Sequence, residues 1–280
     1  MDGKIKLVEH FFILNGQTIG TSSFAYQFPA ESKIVYEVIR VKNSTPLFFE
    51  HHMERLMNSI RILNFELPQL QTIKEQIKNL LDKNPIAENN LRISLIYKNS
   101  STLDTLIYFV PSTYPTEIQK QEGVEVKLLK ANRDNPNAKV ENTLLRETAN
   151  RIIAESNCYE VLLVNDQGFI TEGSRSNVFF IKDNTFYTAP LSMVLGGITR
   201  LVVIDLIGKL GFKLIEKPVN IHEIGSFDSA FLTGTSPSVL PISKIDEFSF
   251  NASSKALQIL ISEYNEAIKK DISTFKGKPI

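Results

Sequence analysis

The stretch FITEGSRSNVFFI, residues 169–181, sets a single carboxylate, Glu172, and a tract of small polar residues between segments that otherwise read as buried strand. A carboxylate in that setting needs a cation or hydrogen-bond donors to offset its desolvation. A second stretch, SMVLGGITRLVVIDLIGKLG at 192–211, leads a glycine pair directly into a helix. Glycines let a ligand approach the backbone, and the amides of Gly197, Ile198 and Thr199 would point along the positive end of the helix dipole, with the Thr199 hydroxyl as a further donor. That is a cup for an anion. A third stretch, FLTGTSPS at 231–238, follows a strand with a turn whose Thr235 and Ser236 offer more hydroxyl and amide donors. Taken singly, each has an ordinary alternative: a structural carboxylate, or a simple tight turn. Together they suit a ligand with a phosphate at one end and a cation at the other, a description that composition and spacing alone do not narrow to one molecule.

The elements that must carry these groups read as mixed α/β. In KIVYEVIRV, Ile34, Tyr36, Val38 and Arg40 fall on one strand face, and Val35, Glu37, Ile39 and Val41 on the other. HHMERLMNSIRIL repeats apolar residues at helical spacing (Met53, Leu56, Met57, Ile60, Leu63), and PQLQTIKEQIKNLLDKN opens a second helix with a proline. LRISLIY and DTLIYFV follow as a strand pair. The proline-bearing, aperiodic PSTYPTEIQKQEG then contains a linker expected at 114–123, between a smaller domain at 1–113 and a larger one at 124–280. The larger domain opens with the strand VEVKLLK and a helix over ENTLLRETANRIIAES, and continues as a hairpin-rich sheet with turns at Asp166-Gln167-Gly168 and Asp183-Asn184. A helix closed by Gly211, further strands and a last helix from about 253 to 270 complete it. The expected fold class is α/β (α+β), with two domains whose strand ends form a cleft.

Composition excludes several partner classes. Thirty-one basic residues balance thirty-one acidic ones, so no net field attracts nucleic acid or an anionic membrane surface. No stretch has the ~18 apolar residues of a membrane helix, and the N-terminal region lacks a signal-peptide core. The single cysteine, Cys158, has no partner for an internal disulfide and suits a reducing compartment, so a cytoplasmic location is expected. His10, His51, His52 and His222 show no metal-ligand spacing, and no metal is expected. There is no Gly-x-Ser-x-Gly elbow, P-loop or dinucleotide-binding glycine motif.

Five segments, HMERLMNSI, NPNAKVENTLL, YEVLLVNDQGFITEGSRSNVFFI, LGGITRLVV and FLTGTSPSVLPI, occur in this order. From about residue 24 to 245 the sequence resembles the class IV pyridoxal-phosphate aminotransferases, the group of branched-chain and D-amino acid aminotransferases and aminodeoxychorismate lyase. The resemblance implies a two-domain fold of the D-amino acid aminotransferase-like type with pyridoxal 5′-phosphate in the interdomain cleft. It implies that Lys139 is the catalytic lysine carrying the cofactor, that Glu172 faces its ring nitrogen, and that Arg55, Ile198, Thr199 and Thr235 hold its phosphate. Tyr36, Arg92, Tyr97 and Ser236 match positions beside the substrate. The expected substrates are a small, branched-chain-like amino acid and a 2-oxo acid, and the expected assembly is a homodimer.

Two departures bear on specificity. D-amino acid enzymes carry an arginine near the end of the strand LRISLIYKN, where this chain has Tyr97, and lyases carry a hydroxyl residue where this chain has Val38. The Gly-Asp-Gly turn usual before Tyr36 is replaced by Pro-Ala-Glu-Ser-Lys, which cannot copy its backbone. An aminotransferase is therefore the expected activity, with a pyruvate-releasing lyase or a non-catalytic cofactor-binding relative as alternatives.

Overall fold

A computed structural model describes residues 6–29, 31–99, 103–132, 136–140 and 142–276. The chain divides into two compact units, one of Met1–Thr113, Ala138–Glu141 and Ile268–Ile280, the other of Tyr114–Asn137 and Asn142–Ala267. This differs from the expected division in two ways. The expected linker 114–123 belongs to the second unit and contains helix Glu117–Glu122, and short later segments return to the first unit.

The first unit contains β1 (Val8–Leu14), β2 (Gln17–Gly20), β3 (Lys33–Lys42), β4 (Thr45–Pro46), β5 (Glu88–Tyr97) and β6 (Leu103–Val110), with helices α1 (Phe49–Ile62) and α2 (Leu70–Lys83). Among the described residues its strands form a six-stranded antiparallel sheet in the order β2-β1-β6-β5-β3-β4. The register pairs Tyr36 with Ser94, Glu37 with Ile93 and Val38 with Arg92. Directly opposed residues share a face, so Tyr36, Ser94 and Arg92 lie on one side and Glu37 and Ile93 on the other. The second side is the apolar one: Val35, Ile39, Ile93 and Leu95 pack with Leu56 and Ile60 of α1 and Ile77 and Leu80 of α2.

The return of residues 138–140 to this unit has a backbone cause. Val140 bridges antiparallel to Val35, and Tyr36 N–H donates to the Lys139 carbonyl at 3.1 Å, so the segment extends the sheet along the edge of β3. The C-terminal return is made by the last helix, whose Asp271 accepts the Phe48 N–H at 2.7 Å and whose Phe275 meets Phe49 edge-on, with ring centroids 6.0 Å apart.

The second unit begins with α3 (Glu117–Glu122), a helix that the linker reading passed over and that a capping box starts: Gln119 N–H donates to Thr116 Oγ1 at 3.2 Å and Thr116 N–H to Gln119 Oε1 at 3.0 Å. There follow β7 (Val124–Lys130), α4 (Thr143–Ser156), β8 (Glu160–Val164), β9 (Phe169–Gly173), β10 (Asn177–Lys182) and β11 (Thr185–Thr188). Next come α5 (Ile198–Lys209), β12 (Lys213–Glu216), β13 (Val219–Asn220), β14 (Ser229–Gly234), β15 (Ser238–Ile245), β16 (Phe248–Ser249) and α6 (Lys255–Lys276), of which Ile268 onward clusters with the first unit. The strands form a mixed sheet in the order β12-β11-β10-β14-β15-β7-β8-β9-β13, with β16 on β15.

Turn chemistry sets the hairpins that carry the site. Asn165 Oδ1 accepts from Gln167 N–H and Phe169 N–H at 3.0 and 2.9 Å, and Gly168 takes φ +80°, which closes β8 onto β9. Asp183 and Asn184 both adopt positive φ (+49° and +58°), the two-residue turn whose twist suits a hairpin. Thr235–Pro237 join β14 to β15, with Ser238 at φ +59° taking up the reversal. No helix among the described residues is long and apolar enough to cross a membrane.

Candidate active site

In the first unit the edge pairing fixes Lys139. Its carbonyl is held by Tyr36 N–H, and its own N–H donates to the buried Ser59 Oγ of α1 at 3.2 Å; Ser59 in turn donates to the Arg55 carbonyl at 2.9 Å. Because Lys139 lies opposite Tyr36, the two side chains share a face, and Nζ stands 4.7 Å from the centroid of the Tyr36 ring. Arg92 uses the same ring, with Cζ 4.3 Å from its centroid, while its Nε donates to Ser94 Oγ at 3.0 Å. Tyr36, Arg92 and Lys139 are thus brought together.

Arg55 and Tyr97 are on the opposite, helix-covered side of this sheet. Arg55 forks onto Glu37, Nε to Oε1 at 2.7 Å and Nη2 to Oε2 at 2.6 Å, and His52 Nδ1 meets Glu37 Oε2 at 2.8 Å. Glu37 is fully buried, and burial alone would raise its pKa; the Arg55 charge and hydrogen bonds outweigh this, with His52 adding to them, and lower it from 4.5 to about 2. Burial pushes the His52 pKa down despite the attraction of Glu37, so the imidazole is the neutral partner in this cluster.

The expectation that Tyr97 touches substrate is corrected. Its hydroxyl donates to the Glu66 carbonyl at 2.8 Å, its ring stacks on Phe65 with centroids 4.5 Å apart, and its side chain belongs to the first unit's apolar core at 1% exposure. The reason is strand parity: Arg92 and Tyr97 are an odd number of residues apart on β5 and must face opposite ways. Burial, with Glu66 adding to it, raises the Tyr97 pKa to about 12.

In the second unit Glu172 lies near the end of β9 at 2% exposure. Its Oε2 accepts from Leu195 N–H at 3.1 Å and from Asn177 Nδ2 at 3.3 Å, and Asn177 Nδ2 also donates to the Leu195 carbonyl at 2.9 Å. The second glycine of the pair is required here. Gly197 is the N-cap of α5, and a Cβ on it would collide with Asn177 Oδ1. Ile198 and Thr199, the first two residues of α5, are buried, and Thr199 Oγ1 accepts from Tyr264 at 3.5 Å. The first helical amides have no partner within the helix itself, so this terminus can receive an anion. Thr235 and Ser236 are half-buried in the β14–β15 turn, where a Cβ on Gly234 would come 3.4 Å from the Arg175 carbonyl.

Sequence reasoning missed Glu37, His52, Ser59 and Asn177 as parts of these clusters. Only two left a trace: Glu37 is a charged residue on an otherwise apolar strand face, and Asn177 closes the small polar tract after Glu172.

The architecture recurs among solved structures. The chain matches a crystal structure of the branched-chain aminotransferase of the archaeon Thermoproteus uzoniensis with norvaline at a TM-score of 0.82, covering 94% of this chain and 96% of that one, at 22% identity. The two chains share one fold. In sequence, the family profile described as Amino-transferase class IV matches residues 34–245, and the chain belongs to the class IV aminotransferases. It is 30% identical over 229 residues to a D-alanine aminotransferase of Bacillus licheniformis, covering 76% of this chain and 78% of that one. It is 32% identical over 222 residues to a probable branched-chain-amino-acid aminotransferase of Thermotoga maritima, covering 77% and 78%.

Proposed function

We propose that this protein is a pyridoxal-phosphate-dependent aminotransferase that moves an amino group between a small, branched-chain-like amino acid and a 2-oxo acid. The observation that carries the reading is the placement of Lys139: within a chain of the class IV family, its backbone is clamped on both sides and its amine is held against the Tyr36 ring.

The residues suit the cofactor chemically. A buried carboxylate braced by Asn177 and Leu195 N–H matches a protonated ring nitrogen, helix amides led by a glycine match a phosphate, and a lysine matches an aldehyde. When bound, pyridoxal phosphate supplies an aldehyde that takes up the amino group and a charged ring that draws electrons from the substrate Cα. Lys139 would hold the cofactor's aldehyde and would carry the proton at the substrate Cα. Glu172 would face the ring nitrogen and favour its protonated form. Ile198, Thr199 and Thr235 would receive the phosphate, and Tyr36 and Ser236 would border the substrate; Arg55, which the resemblance assigns to the phosphate, forks onto Glu37 on the helix-covered face. Arg92 receives a carboxylate, as a guanidinium already oriented by Ser94 and Tyr36.

Tyr97 takes no part in this scheme. Its place on the helix-covered face leaves no carboxylate trap at the position where D-amino acid enzymes carry one, which favours the branched-chain-like reading. A homodimer belongs to the same proposal, and sedimentation of the purified protein gives its mass. The function is tested by loading the protein with pyridoxal phosphate and adding L- and D-amino acids one at a time without an acceptor. Loss of the aldehyde form's absorption with L-leucine, L-valine or L-glutamate is expected. No change with any amino acid, together with pyruvate release from aminodeoxychorismate, would replace the aminotransferase with a lyase.

A further inference from the structure

A second carboxylate is built into the second unit, one to which the sequence motifs give no role. Glu160 opens β8 and is 4% exposed. Its Oε1 accepts from Val161 N–H at 2.9 Å and Ser174 Oγ at 2.7 Å; its Oε2 accepts from Arg175 N–H at 3.1 Å and Ser176 Oγ at 3.2 Å. Four donors around one carboxylate occupy both of its oxygens.

Three of these donors come from consecutive residues, 174 to 176, which form the connection between β9 and β10. The connection is tight. Gly173 N–H donates to the Ser176 carbonyl at 2.7 Å, and Ser174 N–H to the Val161 carbonyl at 3.0 Å. A Cβ on Gly173 would collide with Ser176 Oγ and come 3.2 Å from Glu160 Cγ. Glu160 therefore fills the inside of the turn. Glu172 directly precedes the turn's first glycine, and Asn177, which braces Glu172 Oε2, directly follows its last serine.

We propose that Glu160 is a positioning residue for Glu172: it shapes the 173–176 turn so that Asn177 and Glu172 meet, and thereby sets how firmly Glu172 holds the proton on the cofactor's ring nitrogen. This rests on the aminotransferase reading. A change at Glu160 should alter the ring nitrogen more than it alters substrate binding. In the turn, a neutral amide would present a donor to donors at one of its two ends.

The experiment compares wild type, E160Q and S176A loaded with pyridoxal phosphate carrying 15N in its ring. S176A removes one donor and leaves the carboxylate in place, so it decides the matter if E160Q does not fold. The expected result is a 15N resonance moved toward the unprotonated ring in E160Q, and less so in S176A. With it comes a fall in kcat of about tenfold for E160Q, the scale of a small misplacement of a reacting group, while KM stays within about twofold. Variants that fold, load the cofactor and keep the wild-type 15N shift and kcat would overturn the proposal, as would S176A alone doing so. Wild-type protein that takes up no cofactor would instead overturn the aminotransferase reading on which the proposal stands.

Discussion

The Tyr36 amide donates to the Lys139 carbonyl at 3.1 Å, and the Tyr36 ring centroid lies 4.7 Å from the Lys139 amine. A single edge pairing thus fixes both the backbone and the facing of the lysine, because opposed residues in an antiparallel pair project to the same side. The other half of the clamp is Ser59. S59A removes the acceptor of a part-buried amide and should lower stability by about 1–3 kcal/mol in urea unfolding. A variant as stable as wild type would show that the clamp contributes nothing.

The Glu37 cluster makes stability depend on acidity in a defined window. The folded-state pKa of Glu37, about 2, is below its ordinary value of 4.5, so the stabilisation is fully present above pH 4.5 and is lost as pH falls toward 2. Its size is on the order of 3 kcal/mol, from the linkage between a pKa shift and stability. E37Q should flatten the stability profile across that window. It should also destabilise the protein by about 1–3 kcal/mol at neutral pH, because it leaves the part-buried Arg55 guanidinium without its anion. An unchanged slope of stability against pH would contradict the assignment.

Tyr97 and Arg92 give opposite expectations although five residues apart on one strand. Y97F loses one hydrogen bond to the Glu66 carbonyl and should cost about 1 kcal/mol of stability with kcat/KM unchanged. R92Q should raise KM for a dicarboxylic 2-oxo acid about tenfold, the scale of a lost charged hydrogen bond, with little effect on stability. Steady-state kinetics of the two variants would contradict the parity argument if Y97F proved the more damaging to KM.

Much of this was legible in the sequence, and the misses share a cause. The alternation in KIVYEVIRV already separated Tyr36 from Glu37, and the helical spacing of Met53, Leu56 and Ile60 already defined the face that packs on the sheet. Applying the same alternation to LRISLIY separates Arg92 from Tyr97, but alignment to a family position placed both beside the substrate. Periodicity gives facing and does not give which element covers a face. The serines and arginine of the tract after Glu172 read as polar filler because Glu160, the group they surround, lies on a different strand. The return of residues 138–140 and 268–276 to the first unit depends on contacts between segments distant in sequence, which local patterns do not encode.

The glycine ahead of α5 offers a test of the Glu172 brace that leaves Glu172 itself intact. In G197A the new methyl would displace the Asn177 carboxamide, which bonds both Glu172 and the Leu195 carbonyl. Cofactor affinity should fall about tenfold or more, since a buried hydrogen-bonded network is broken at the proposed ring site and the helix terminus shifts with it. Fluorescence titration of the apo protein with pyridoxal phosphate measures this. An affinity equal to wild type would show that the glycine is only a turn residue.

The proposed function stands or falls on Lys139 as the amine that carries the cofactor. Borohydride reduction of the pyridoxal-phosphate-loaded protein, followed by proteolysis and mass spectrometry of the peptides, tests it directly. The expected result is a pyridoxyl phosphate group on Lys139 and no stable label in K139A. A label on another lysine in the wild-type protein, or no label at all, would contradict it.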